Sequence, residues 1–142
     1  MLKRLLVIAA AGVLAGSVGY ANQTNTKVTI PVTKTTPTDG KQMYGNYCAP
    51  CHGVDGRGNG PVAGALKAPP SDLTVLSRNN HGKFPGTRVI TVLRDGQSIS
   101  AHGSAQMPVW GPILGRLDTS GNADRALRIS NLSRYLDTIQ AK

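Results

Sequence analysis

Both cysteines of the chain, and one of its three histidines, fall in the stretch NYCAPCHGVDGRGNG as Cys48, Cys51 and His52. Two thiols and an imidazole within five residues admit three chemistries. Thiol–disulfide exchange needs a C-x-x-C pair whose first thiol is acidified. A structural zinc site needs four ligands drawn from such groups. Covalent haem attachment needs two thiols spaced so that both reach the vinyl groups of one porphyrin, followed at once by a histidine that faces the iron.

The surroundings of the motif discriminate. A thioredoxin-like site expects a strand ahead of the cysteines and a βαβ context; here a glycine-marked helical pattern precedes them. Zinc would have to recruit His81 and His102, which are 21 residues apart in separate loops and do not resemble a compact finger. Haem attachment accounts for the absence of further cysteines, which would risk wrong disulfides in an oxidising compartment. It also requires a sixth ligand from the opposite side. Met43 lies only five residues before Cys48, on the attaching helix, and does not reach across. Met107 lies 55 residues after His52 in a loop and is followed by Pro108, whose fixed φ stiffens the backbone there. His102 is a rival ligand five residues away. His81 reads as a surface loop residue.

The elements that must position these groups follow a leader. Lys3 and Arg4 precede an apolar run over residues 5–18, ending in the small residues of GSVGYAN. This reads as a secretory signal peptide over residues 1–21, cut after Ala21 with Gly19 at the −3 position. The run is shorter than the ~20 residues that span a bilayer; retention as an anchor is the competing reading. The expected location is the periplasm, where haem c is attached in bacteria. Residues 22–37, NQTNTKVTIPVTKTTP, read as a flexible arm. A short edge strand at KVTIPV is the alternative, weakened by Pro31. Residues 38–142 are the domain.

That domain reads as all-α with long loops. Thr38 or Asp39 caps a first helix, with Gly40, Met43, Tyr44 and Tyr47 on one stripe. Residues 53–64 form a glycine-rich loop, and Ser71 or Asp72 caps a short turn. TRVITVLRDG reads as a helix capped by Thr87 and stopped by Gly96, its β-branched residues suiting a strand as well. Residues 97–121 read as mostly loop. A last helix starts at Asp124, with Leu127, Ile129, Leu132, Tyr135, Leu136 and Ile139 as its apolar face.

The chain carries 16 basic against 7 acidic residues, a net +9, and every acid is aspartate. Loss of the leader leaves about +7. The basic residues are scattered and aromatics are few, which argues against a nucleic-acid partner. Such a field steers toward an acidic protein surface, or weakly toward an anionic membrane.

At GKQMYGNYCAPCHGVDGRGNGP, LKAPPSDLT, VLRDG, MPVWG and NLSRYL, in that order and spacing, the sequence resembles the class I c-type cytochromes. The likeness covers roughly residues 39–141. It implies a helical fold wrapped around one covalently attached haem c, held by thioethers from Cys48 and Cys51 with His52 and Met107 as axial ligands. It implies that the first and last helices cross where Gly40 and Tyr44 meet Leu132 and Tyr135. It further implies that a proline carbonyl, from Pro69, Pro70 or Pro61, accepts the Nδ1–H of His52, and that Trp110 packs on the haem edge near a propionate. The expected function is one-electron carriage as a monomer between acidic redox partners: an oxidase, a bc-type complex or a dehydrogenase. The chain is not expected to be an enzyme in its own right; a haem enzyme or gas sensor with a labile sixth ligand is the other reading. One departure is GPILGRLDTSGNAD, longer than the connection in the smallest members.

Overall fold

The computed structural model describes residues 29, 31–96, 107–117 and 121–142. The leader with its cleavage point, half of the arm, and His102 lie outside the described residues. The described residues form helices and turns, with no strand among them. None of those helices is long and apolar enough to cross a membrane.

The first helical segment is built in three parts: α1 (Gly40–Met43), a π-helical turn (Tyr44–Cys48) and α2 (Ala49–His52). Asp39 is the cap, its side chain accepting from the Gln42 N–H at 2.8 Å. Gln42 in turn accepts from the Thr36 N–H at 2.9 Å, closing the turn that enters the helix. Pro50 lacks the N–H that a regular helix would direct to the Asn46 carbonyl. The ladder widens ahead of it, the Ala49 N–H bonding to the Tyr44 carbonyl five residues back. π-turns of this kind concentrate at functional sites, and this one carries Cys48.

Three 3₁₀ turns follow, at Ala63–Ala65, Leu73–Val75 and Arg78–Asn80. Helix α3 (Gly86–Asp95) ends on Gly96 in the left-handed conformation, as expected. Its start differs from expectation. Pro85, with its φ already fixed, precedes the first turn, and Thr87 lies inside the helix, its carbonyl accepting from the Thr91 hydroxyl at 3.0 Å. A short α4 (Trp110–Leu114) occupies a stretch expected to be loop. Pro112 is tolerated because first-turn N–H groups have no intrahelical acceptor to lose.

Helix α5 (Asn122–Thr138) packs against α1, α3 and α4. It starts at Asn122, placing Asp124 in the first turn rather than at the boundary. Ile129, Leu132 and Leu136 are buried as expected, but Leu127 is 42% exposed. Arg128 takes the buried place instead, at 0% exposure. Wholly buried arginine is rare without hydrogen-bond partners. Here Thr35 supplies them: its hydroxyl and its carbonyl each accept from the guanidinium at 2.8 Å. The end of the arm expected to be flexible is therefore tied down, with Thr35 buried and the Pro37 carbonyl accepting from Asn131 at 3.2 Å.

The crossing of α1 and α5 falls where expected. A Cβ on Gly40 would collide with the Asn131 backbone and the Tyr135 Cβ. The Tyr44 and Tyr135 rings meet at 5.2 Å between centroids. The close approach of two backbones is why this helical position has no side chain.

Candidate functional site

One cavity of about 270 Å³ is walled by Cys48, Cys51 and His52 from the first helical segment. Leu73 and Leu76 from the following turns, Val89, Val92 and Leu93 from α3, and Leu136 from α5 supply apolar wall. Met107, Pro108 and Trp110 complete it. Two cysteines, a histidine and a methionine far apart in sequence thus share one greasy chamber.

The Cys-x-x-Cys-His turn is held by the glycine-rich loop after it. The carbonyls at the end of a helix need outside donors. Gly58 donates to the His52 carbonyl at 2.7 Å, Gly60 to Cys51 at 3.0 Å and Val62 to Pro50 at 3.1 Å. Gly60 lies so close that any Cβ would strike the carbonyls of Ala49 and Pro50. Gly58, at φ +81°, sits against the Pro70 backbone. The loop therefore fixes the attaching turn and seats the PPSD segment beside it.

That segment orients His52. Nδ1 of His52 lies 3.0 Å from the Ser71 carbonyl oxygen. A carbonyl only accepts, so Nδ1 bears the proton and Nε2 the lone pair that a metal requires. The acceptor is Ser71, not the carbonyl of Pro69, Pro70 or Pro61. The two prolines stiffen the approach, but the carbonyl that reaches the ring is the next one along. Asp72 anchors the same backbone: its carboxylate accepts from the Thr74 N–H at 2.8 Å and the Thr74 hydroxyl at 2.6 Å. The hydroxyl bond is the main cause that lowers the Asp72 pKa below the usual carboxylate value. Pro69 and Pro70 themselves line the cavity.

Burial pushes the Cys48 thiol up to about 12, with the neighbouring Cys51 adding to the rise. Burial raises Cys51 as well. A thiol held in its neutral form is a poor nucleophile for disulfide exchange. No group of three or more His, Cys, Asp or Glu side chains suited to a metal ion occurs among the described residues. His81 is exposed, in the left-handed conformation, and does not line the cavity. Met43 is 0% exposed with its sulfur 3.8 Å from the Arg128 guanidinium, inside the core between α1 and α5. Trp110 is 3% exposed and stacks on Tyr47 at 5.5 Å, which gives it a packing partner in the protein as well as a place on the cavity wall.

The chamber fits a haem joined to the chain through both cysteines. It offers two thiols and an imidazole in the attaching order, an oriented Nε2, a thioether, and apolar walls for the porphyrin faces.

Residues 35–118 match the model of the family described as cytochrome c oxidase, cbb3-type, subunit III. The chain belongs to this family of c-type cytochrome domains. It is a helical class I c-type cytochrome, a family whose cofactor is haem c. No curated protein matches it. Among solved structures it is similar to a chain of the reducing HAO-like protein complex of Kuenenia stuttgartiensis, at 23% identity and a TM-score of 0.43. That match covers 76% of this chain and 45% of the other, so this chain spans less than half the length of that relative.

Sequence reasoning missed Arg128, Thr35 and Ser71. The only signal for Arg128 was a cation flanking the apolar period of the last helix, which ordinarily marks a solvated face.

Proposed function

We propose that the chain is a periplasmic, monomeric, monohaem electron carrier with His52 and Met107 as axial ligands. The observation that carries this reading is the meeting of Cys48, Cys51, His52 and Met107 on one apolar cavity. Cys48 and Cys51 would hold the haem by thioethers. His52 would face the iron through Nε2, kept in place and made more basic by the Ser71 carbonyl. Met107 would close the opposite face, so neither axial position stays open for oxygen. The bound haem supplies a one-electron couple, and a thioether ligand in apolar surroundings favours its reduced state.

The Lys3–Arg4 leader with its short apolar run supports export. The net positive charge supports docking on acidic redox partners. Of the three partner classes, the family's description as an oxidase subunit favours an oxidase as acceptor.

Carbon monoxide tests the ligand assignment. The reduced wild-type protein is expected to bind it poorly at neutral pH, while Met107→Ala binds it readily. Rapid binding by the wild type would favour a sensor or enzyme with a labile sixth ligand. Unchanged behaviour of Met107→Ala would remove Met107 from the iron.

A further inference from the structure

The tied end of the arm does more than cover α5. Arg128 donates to the Thr35 hydroxyl and carbonyl, both at 2.8 Å. The Thr35 hydroxyl also lies 2.8 Å from the Tyr47 hydroxyl, which donates to the Thr33 carbonyl at 2.6 Å. Tyr47 is 1% exposed, and its ring stacks on Trp110 at an interplanar angle of 29°. Both rings stand on the cavity wall. Trp110 opens α4 only three residues after Met107.

A network of this kind is a poor device for stability alone. Burying a guanidinium forfeits its hydration, and an apolar side chain of similar volume often serves stability as well. What directed bonds add is a single defined arrangement of the groups they join. Arg128 holds Thr35, Thr35 and the Thr33 carbonyl hold the Tyr47 hydroxyl, and the Tyr47 ring supports the indole at the root of the Met107 segment.

We propose that Thr35, Tyr47 and Arg128 are positioning residues for the sixth ligand. The arm fixes the Tyr47 hydroxyl, the Tyr47 ring fixes Trp110, and Trp110 fixes the backbone that presents Met107. This rests on Met107 being the ligand. Loosening any link raises the population in which the thioether is away from the iron, and an external ligand then binds more tightly in proportion to that population.

The test is imidazole titration of the ferric holoprotein, followed by loss of the near-infrared methionine-to-iron band. Tyr47→Phe keeps the ring and removes the hydroxyl; Thr35→Val keeps the shape and the carbonyl. Each is expected to bind imidazole roughly 10-fold more tightly than wild type. Thr35→Ser restores the hydroxyl and is expected to bind as wild type does. Ile129→Val, beside Arg128 in sequence but outside these bonds, is expected to lower stability and leave imidazole affinity unchanged. Wild-type affinity in both Tyr47→Phe and Thr35→Val would overturn the network while leaving the ligand assignment standing. An equal gain in Ile129→Val would also overturn it, since affinity would then follow general stability. A wild-type protein with haem but no methionine band would overturn the ligand assignment, and the network with it.

Discussion

Serine in place of both Cys48 and Cys51 is expected to leave no haem that survives denaturation. Mass spectrometry of the exported protein reads this directly. Wild-type chain should carry the added mass of one haem; the double variant should not, and each single variant should retain it through its one remaining thioether in lower yield. The structural consequence is larger than the loss of a cofactor. An unfilled apolar cavity costs roughly 24 cal/mol per Å³. For a cavity of about 270 Å³, partly open to water, that sets an upper bound of about 6 kcal/mol, comparable to the whole stability of a small domain. The haem-free variant should therefore lose much of its helical circular dichroism. A haem-free double variant that keeps native helicity and cooperative unfolding would mean that the protein walls alone hold the fold. Haem retained after denaturation would remove the cysteines from the attachment.

Two glycines of the first helical segment should respond in opposite directions to the same substitution. At an ordinary helical site, alanine stabilises relative to glycine by about 1 kcal/mol. Gly45 is exposed, and a Cβ there meets nothing within 4 Å. Gly45→Ala should approach that gain. Gly40 is buried, and its Cβ would lie 2.9 Å from both the Asn131 carbonyl carbon and the Tyr135 Cβ. Neither is the movable end of a side chain, so α1 and α5 must separate. Overpacking of a tight contact costs about 1–3 kcal/mol, which exceeds the propensity gain. Gly40→Ala should lose about 1 kcal/mol net. Chemical denaturation of both holoproteins checks this; a stable Gly40→Ala would show that the two helices are not in such close contact.

What could be read in advance was local. The attachment motif, the Asp39 cap, the buried stripe from Gly40 to Tyr47 and the glycine stop of α3 each depend on residues within a turn or two. The place of Met107 on the cavity wall was legible for a different reason, because few side chains of the chain can complete a haem. Interactions that join distant segments were legible only where the family likeness supplied them, as at the crossing of α1 and α5. Arg128 reads as a solvated cation until Thr35, 93 residues away, is known to offer it two acceptors. For the same reason residues 33–37 read as part of a free arm. The Ser71 carbonyl was missed by one residue, since the sequence fixes which segment approaches His52 but not which peptide plane turns toward it. Helix α4 was hidden because glycine and proline in a five-residue stretch argue for a loop, and only packing against α3 and α5 argues otherwise.

On the proposed function, one covalent haem is held between His52 and Met107. The absorption spectrum of the oxidised and reduced protein, taken from cells that attach haem c, tests it most directly. The expected result is a covalent haem c spectrum that carries, when oxidised, the weak near-infrared band of methionine bound to ferric iron. A covalent haem without that band would contradict the ligation and turn attention to His102 or an open iron. No haem at all would return Cys48 and Cys51 to thiol chemistry.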